Sequence, residues 1–296
     1  MKILVTGATG LIGSALTTRL VEAGHEVSPI SRSSKQPGEV FWNPATSRVE
    51  FGKQARFDAI IHLAGETIAQ RWSPAAKQRI RASRVETTRH LSQSLTQLSP
   101  RPATLLCASA TGFYGDRGDE MVDERSGPGR GFLAKLCQEW EAATESAKAA
   151  GVRVVNLRFG IVLSPKGGAL KKMLPIYRAG LGGKIGNGRQ FWSWVALPDA
   201  IAAIEAALTS RAFSGPINIV SPNPVRNGDF SELLGQVAGR PAWFTVPDFA
   251  VKLAMGEMGK EALLASLRVY PERLAEQKFQ FQFPELRAAL IRAIRP

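Results

Sequence analysis

The chain has 296 residues, of which 44% are hydrophobic and 21% charged, so it can hold one large globular domain and a smaller lobe. No apolar run is long enough to span a bilayer, and the first strand starts at once, so we expect neither a membrane partner nor a signal peptide. The two cysteines and three histidines lack the spacing of metal ligands. We therefore expect no metal site and a cytoplasmic protein.

The formal net charge of +13 raises the question of a nucleic-acid partner. Basic residues are spread along the chain, with one denser stretch at 71–89, and there is no aromatic RNA-binding motif, zinc knuckle or basic tail. We therefore expect no nucleic-acid partner. A solvated basic face explains the charge, and an anionic small ligand such as a nucleotide fits it as well.

The first 32 residues predict a strand, a glycine turn, a helix and a second strand. Residues 2–5 are apolar, a GxxGxxG spacing follows, and apolar residues then recur at helical spacing. In this context the spacing is typical of a dinucleotide-binding turn, where glycines admit the pyrophosphate to backbone N–H groups at the helix start. The predicted cofactor-binding residues of the turn are Gly7, Gly10, Leu11, Ile12 and Gly13.

The end of the second predicted strand indicates which dinucleotide is bound. NAD enzymes place a carboxylate here to hold the ribose 2′-hydroxyl. This chain has Ser31 and Arg32 instead. Because a guanidinium can clamp a 2′-phosphate that a carboxylate would repel, Ser31 and Arg32 predict NADP(H) as the cofactor. The alternative is that Arg32 is a solvated loop charge.

The rest of the chain alternates between apolar strands and amphipathic helices up to about residue 221, and this predicts an α/β fold with a doubly wound parallel sheet of Rossmann type. The predicted strands are 58–65, 104–109 and 152–157, and the predicted helices are 74–98, 132–150, 229–239, 250–256 and 260–267. We predict a nucleotide-binding domain over 1–221, with substrate-lobe insertions near 166–190. Residues 222–296 are predicted to form a small, mostly helical C-terminal substrate lobe.

Several short motifs follow in a specific order. They are HLAG at 62–65, RWS at 71–73, SRV at 83–85, SATGFYG at 109–115, RFGIVL at 158–163, PKGGAL at 165–170, VPDF at 246–249 and VYP at 269–271. In this order they resemble the atypical, epimerase-like branch of the extended short-chain dehydrogenase/reductases that includes YfcH and SulA-like proteins. The resemblance implies that the cofactor also contacts Leu63, Ala64, Gly65, Arg84, Ile161 and Val162.

The chain departs from the wider superfamily at its proton relay. Active extended members carry a Tyr and, four residues later, a Lys on one helix, and the pair moves a proton while the nicotinamide exchanges hydride. No tyrosine here is followed by lysine at that spacing, and alignment on Glu141 puts Leu133 and Cys137 at the two positions. The usual substrate-polarising hydroxyl falls at Ala110.

Four other residues are candidates for chemistry. Ser109, Thr111 and Tyr114 follow a predicted strand, and Glu66 directly follows the HLAG motif. A hydroxyl could orient a carbonyl and a carboxylate could act as a general base, but each could equally be structural.

Two functions therefore stay open. The first is an oxidoreductase or a sugar-nucleotide-epimerase-type enzyme with an unusual relay, acting on a sugar-like or carbonyl-bearing small molecule. The second is a non-catalytic NADPH-binding regulatory or scaffold protein, as the SulA-like members of the branch suggest. Extended members often pair through the region of helix 74–98, which implies a homodimer.

Overall fold

The computed structural model describes residues 1–30, 40–43, 48–51 and 56–294, with the backbone alone for 41–43 and 48–50. The described strands are β1 (Lys2–Thr6), β2 (Glu26–Pro29), β3 (Phe41–Asn43), β4 (Arg48–Glu50), β5 (Ala59–His62), β6 (Thr104–Ala110), β7 (Met121–Val122), β8 (Arg153–Phe159), β9 (Ile161–Leu163), β10 (Gly183–Ile185), β11 (Phe191–Trp192), β12 (Trp194–Ala196), β13 (Gly215–Ile219), β14 (Val225–Arg226), β15 (Phe244–Val246) and β16 (Arg268–Val269). The described α-helices are α1 (Leu11–Glu22), α2 (Pro74–Arg81), α3 (Thr87–Leu95), α4 (Phe132–Ala142), α5 (Glu145–Ala149), α6 (Gly168–Arg178), α7 (Leu197–Thr209), α8 (Asn227–Ala238), α9 (Asp248–Met255), α10 (Glu272–Glu276) and α11 (Leu286–Ile294).

Within the described residues, six parallel strands form the central sheet in the order β13-β8-β6-β5-β1-β2. The strand order changes direction between β1 and β5, and the carboxyl ends of strands at such a switch point open onto a ligand cleft. The predicted parallel sheet is confirmed. Its strands read as continuous apolar runs because helices cover both faces.

Each face of the sheet has its own core. On one face, Leu16 of α1 and Ile204 of α7 pack in one apolar cluster with Ile61 of β5. On the other, Leu91 of α3 packs with Ile60 of the same strand in a second cluster. Because neighbouring strand residues point to opposite faces, Ile60 and Ile61 serve different cores, and the sheet is doubly wound.

Two predicted helices are each interrupted. The helix predicted over 74–98 consists of α2, a π-helical turn at Ala82–Glu86 and α3. The helix predicted over 132–150 ends at Ala142 and resumes as α5, because the Thr144 hydroxyl donates to the Glu141 carbonyl (2.6 Å) at the break. A hydroxyl that bonds to nearby backbone competes with the helical ladder, which periodicity alone does not reveal.

The C-terminal region is mostly helical, as predicted. Helices α8 and α9 lie close to their predicted ranges, whereas the helix predicted over 260–267 is a shorter π-helical segment at Gly259–Leu263, because β16 begins at Arg268. Three strands of this region pair with earlier strands: β14 with β11, β15 with β10, and β16 with β7. The division at 221–222 stays a prediction.

No helix in the described part of the chain combines the length and the apolar character needed to cross a lipid bilayer. Over the same residues, no three His, Cys, Asp or Glu side chains meet in a group that could hold a metal ion.

Candidate functional site

The glycine turn between β1 and α1 lies at the switch point of the sheet. Gly7 has φ +69°, and a Cβ there would stand 2.8 Å from the Leu63 carbonyl carbon. A Cβ on Gly13 would stand 2.8 Å from the carbonyl carbon of Gly7 and would overlap its oxygen. Gly10 donates its N–H to the Gly7 carbonyl (2.9 Å) and begins α1 with no side-chain cap. The first N–H groups of α1 therefore stay open to an anion.

A buried polar pair fixes the turn to the neighbouring strand. The Thr6 hydroxyl accepts the N–H groups of Leu63 (3.1 Å) and Ala64 (3.2 Å) and lies 2.7 Å from His62 Nδ1. Because it already accepts two hydrogens, its own hydrogen points to Nδ1, which leaves the imidazole proton on Nε2. Burial lowers the pKa of His62 to about 4, so this ring is neutral at pH 7.

Arg84 lies directly beneath the loop that follows β5. Its guanidinium carbon is 3.2 Å from the position that a Cβ on Gly65 would occupy, and it stacks 5.1 Å from the centre of the Trp140 ring. The side chain donates to the Ile80 carbonyl (3.3 Å) and Ser83 Oγ (3.4 Å). Within the described residues it forms no ion pair, and burial lowers its pKa. The π-helical turn thus holds a half-buried cation against the predicted cofactor loop.

Glu66 is the carboxylate that follows this loop. Its N–H donates to Ser83 Oγ (3.1 Å), and its Oε1 accepts hydrogen bonds from Gln70 (2.9 Å) and Arg79 (3.3 Å). The Gln70 hydrogen bond lowers the pKa of Glu66 most, and Arg79 lowers it further. With 31% of its side chain exposed, Glu66 is an ionised group that solvent and a ligand can reach.

The predicted contacts Ile161 and Val162 lie on β9, which pairs with β12 rather than with the central sheet. The glycines of the PKGGAL motif connect β9 to the turn: a Cβ on Gly168 would stand 3.5 Å from the Val162 carbonyl oxygen and 3.4 Å from Leu11. Ile12 packs against the core beneath. The structure therefore brings Leu11 and Val162 to the same edge of the glycine turn. Ser31 and Arg32 lie outside the described residues.

The hydroxyl of Ser109 is bound inside the protein. Ser109 Oγ donates to Glu141 Oε1 (2.7 Å), and both oxygens of that carboxylate accept from Arg158 (2.8 Å each). Only 4% of the Arg158 side chain is exposed. A buried, bidentate ion pair of this kind holds its two side chains in one orientation. The Ser109 hydroxyl is held in turn by its hydrogen bond to Glu141.

Tyr114 belongs to the same network. Its side chain is fully buried, and its hydroxyl donates to Asn218 Oδ1 (2.8 Å) and accepts from Arg158 Nη1 (2.9 Å). Burial raises the pKa of Tyr114 to about 12. Thr111, also buried, donates to the Phe159 carbonyl (3.3 Å). These hydroxyls are therefore hydrogen-bonded inside the protein, whereas the Glu66 carboxylate is partly exposed to solvent.

The two positions of the missing relay face the end of β6. A Cβ on Gly112 would stand 3.2 Å from Leu133 Cβ and 3.9 Å from Cys137 Sγ. Burial raises the pKa of the Cys137 thiol to about 12, so the thiol stays protonated at neutral pH. At these two positions α4 presents an apolar side chain and a protonated thiol.

Sequence reasoning missed Glu261, which caps α4 from the C-terminal region. Its two carboxylate oxygens accept the N–H groups of Phe132 (2.9 Å) and Leu133 (2.9 Å). Gly131 just before the helix has φ +104°, and a Cβ there would stand 2.7 Å from Glu261 Oε1. Since the two segments are more than a hundred residues apart, no local pattern could have revealed the contact. Arg158 differs from Glu261 in this respect, because a single charged residue near the end of an apolar strand is visible in the local sequence.

The comparisons with known proteins agree with this geometry. Residues 3–220 match the model of the NAD dependent epimerase/dehydratase family, and residues 246–293 match a domain of unknown function, DUF1731. The chain belongs to the NAD dependent epimerase/dehydratase family. An epimerase family protein of Mycobacterium bovis is 41% identical over 97% of this chain and 96% of its own length.

Two solved structures cover nearly all of the chain. Human epimerase family protein SDR39U1, crystallised with NADPH, superposes with a TM-score of 0.89 at 33% identity and covers 99% of both chains. A nucleoside-diphosphate sugar epimerase from Corynebacterium glutamicum gives a TM-score of 0.81 at 35% identity, covering 99% of this chain and 58% of that one. The predicted epimerase-like family is confirmed.

Proposed function

We propose that this protein binds NADPH between the glycine turn and the loop at 63–65. The observation that carries the proposal is the turn itself, where Gly7 and Gly13 leave no room for a Cβ and the N-terminus of α1 has no side-chain cap. Such a helix start receives a pyrophosphate. The human relative crystallised with NADPH supports the choice of cofactor, as does Arg32 in the sequence.

Arg84 supplies the second cofactor or substrate contact in this proposal. It is a half-buried guanidinium beside Gly65 that forms no salt bridge within the described residues, although the charge of the Glu66 carboxylate acts on it. An anionic group of the ligand would give Arg84 a direct ion pair. Leu63, Ala64, Ile161 and Val162 would contact the cofactor through backbone and apolar atoms.

For chemistry, we propose an oxidoreductase or epimerase-type reaction with Glu66 as the proton acceptor. Bound nicotinamide would supply hydride exchange. Glu66 is ionised and partly exposed beside the loop, with a pKa that is lowered rather than raised, whereas Ser109, Thr111 and Tyr114 are hydrogen-bonded inside the protein. The Corynebacterium relative supports a sugar-like, carbonyl-forming small molecule as the substrate class.

A second candidate is a non-catalytic NADPH-binding regulatory or scaffold protein. The observation that favours it is the pair of relay positions, where Leu133 and Cys137 face Gly112. Neither side chain can move a proton at neutral pH, since one is apolar and burial keeps the other protonated.

A cytoplasmic location and a homodimer complete the proposal. Cys107 and Cys137 are both free and buried, as is usual in a reducing compartment. Helices α2 and α3 expose no large apolar side chain in the part of the chain that the structure describes. A dimer through them would therefore depend on polar and charged pairs, and sedimentation equilibrium would detect it.

Calorimetric titration of NADPH and NADH tests the cofactor. We expect tight NADPH binding, a reversed preference in Arg32→Asp, and a Kd for Arg84→Leu that is weaker by roughly tenfold to a hundredfold, because a charge-assisted contact is lost. Arg89→Leu is the matched control, since Arg89 already pairs with Glu86. Equal affinity for both cofactors, or no binding, would overturn the proposal.

A panel of sugar nucleotides and small carbonyl compounds, followed by NADPH absorbance and product analysis, separates the two candidates. Loss of turnover in Glu66→Gln with unchanged NADPH binding would support the enzyme. The control is Glu120→Gln, an exposed carboxylate that pairs with Arg117. Tight NADPH binding without turnover across the panel would favour the scaffold.

A further inference from the structure

The surface around β15 and α9 exposes large apolar side chains. We call this surface the apolar patch, and its members are Leu181, Trp243, Phe244, Val246, Phe249 and Leu253. Trp243 is 86% exposed, Phe249 72% and Leu253 75%. Single exposed apolar residues need no explanation, whereas a cluster of this kind marks a binding surface.

The members of the apolar patch are neighbours in the fold. The Phe244 N–H donates to the Gly182 carbonyl (3.3 Å), which places Leu181 beside the start of β15. Helix α9 begins directly after the strand. Phe249 and Leu253 lie one helical turn apart on the side of α9 opposite Val251, which is its buried residue.

The size of the patch reaches the level at which an apolar surface is often functional. An aromatic side chain has roughly 150–250 Å² of surface, so the exposed parts of Trp243, Phe244 and Phe249 together present on the order of 400 Å². That area already matches the largest apolar patch of a typical monomer. The exposed aliphatic members enlarge it further.

Four basic residues lie near the members of the apolar patch along the chain or in the strand register, and we call them the basic rim. Its members are Arg178, Lys184, Arg240 and Lys252, all exposed, and none of them forms an ion pair with another described residue. The acidic residue of the same segment, Asp248, turns toward Gly186 of the neighbouring loop. A second copy of the chain would bring this rim against an identical positive rim, and the charges would repel.

We propose that the apolar patch and its basic rim seat this protein on the surface of an anionic lipid bilayer. Aromatic and aliphatic side chains would enter the boundary between headgroups and acyl chains, and the rim would pair with lipid phosphates. This contact needs no membrane-spanning helix, and it revises the expectation of no membrane partner, which rested on the lack of a spanning segment. It uses none of the residues of the glycine turn and not Arg84, so it goes beyond the proposed function.

Co-sedimentation with vesicles tests the proposal. We expect the full-length protein to bind vesicles of phosphatidylcholine mixed with phosphatidylglycerol, to bind phosphatidylcholine alone far more weakly, and to be released by salt. Phe249→Ser with Leu253→Ser should weaken binding by roughly tenfold or more for each side chain. Arg240→Glu and Lys252→Glu should each weaken it by at least about fivefold.

Val21→Ser is the matched control, because Val21 is a 56% exposed apolar residue on α1, away from the patch. Circular dichroism and NADPH titration on every variant separate lost membrane binding from lost folding and from failure of the cofactor proposal. No binding to anionic vesicles, or binding that the patch variants retain, would overturn the inference. So would a concentration-dependent dimer that Phe249→Ser and Leu253→Ser abolish, since a second copy would then cover the patch.

Discussion

The glycine turn and the end of β6 lie at the same edge of the sheet, yet their polar groups are arranged in opposite ways. At the turn, the start of α1 has no side-chain cap, and Arg84 forms no salt bridge within the described residues. At the end of β6, Ser109 and Tyr114 are bound to Glu141, Arg158 and Asn218. The polar groups of the first region are free to contact a ligand, whereas those of the second region are already hydrogen-bonded to other side chains.

This difference distinguishes polar groups that are open to a ligand from polar groups that are already paired inside the protein. The open region lies where open α/β sheets bind their ligands. The closed region is a buried hydrogen-bonded network that stabilises the fold. Changes in the two regions should therefore affect different properties, and four predictions test this separation.

The largest effect should come from Gly13→Val. Its added atoms would overlap the Gly7 carbonyl, so the turn must shift away from the position in which α1 faces the cofactor. We expect NADPH binding to be lost, as measured by calorimetry, together with a lower melting temperature. Gly127→Ala is the control, because a Cβ at Gly127 would meet nothing within 4 Å. Normal binding by Gly13→Val would show that the turn does not hold the cofactor.

The next largest effect should be on stability. Arg158→Met leaves the Glu141 carboxylate buried without its counter-charge, which costs about 3–5 kcal/mol of unfolding free energy. Urea denaturation would measure it. NADPH affinity of the folded fraction should stay close to that of the unmodified protein. A large drop in affinity at unchanged stability would mean that Arg158 belongs to the cofactor site.

His62 makes stability depend on pH. Its folded-state pKa of about 4 lies below its ordinary value of 6.5. Between these two pH values the imidazole is protonated in the unfolded chain and neutral in the folded chain. The neutral ring contributes about 3 kcal/mol above pH 6.5, and this is lost as the pH falls toward 4. Urea titrations at several pH values should show a shallower dependence in His62→Asn, whose Oδ1 can still accept from Thr6.

The smallest effect should come from Tyr114→Phe. Removing the hydroxyl leaves Asn218 Oδ1 and one Arg158 N–H without a partner, at a cost of about 1–2 kcal/mol of stability. NADPH affinity and any turnover should not change. A loss of turnover without a loss of stability would give Tyr114 a direct part in the chemistry instead.

Local patterns were sufficient for the parts of the molecule that are built from neighbours in sequence. Alternating apolar runs and glycines within about thirty residues predict the β1–α1–β2 unit and the strand before Leu63. The absence of a Tyr-Lys pair at the four-residue spacing is read directly from the sequence. The break in the helix predicted over 132–150 depends on the hydrogen bond from the Thr144 hydroxyl to the backbone, which periodicity does not record.

The state of the candidate residues depends on distant partners instead. Ser109 was a candidate because it follows a strand, but its hydroxyl meets Glu141, 32 residues later. Tyr114 meets Asn218 across 104 residues. Five of the six members of the apolar patch lie within residues 243–253, but only the fold shows that their side chains are exposed. Burial and pairing of this kind arise only when the whole sheet is assembled.

The cap that Glu261 places on α4 bears on how this chain could be divided. The predicted boundary at 221–222 would be the natural place to cut it into two fragments. Such a cut would remove the acceptors of the Phe132 and Leu133 N–H groups, together with the strands that pair with β7, β10 and β11. The N-terminal fragment would keep the whole central sheet but would lose the contacts that the C-terminal region makes with α4, β7, β10 and β11. A split reporter or a truncated crystallisation target should therefore keep the two fragments together, by co-expression or a linker.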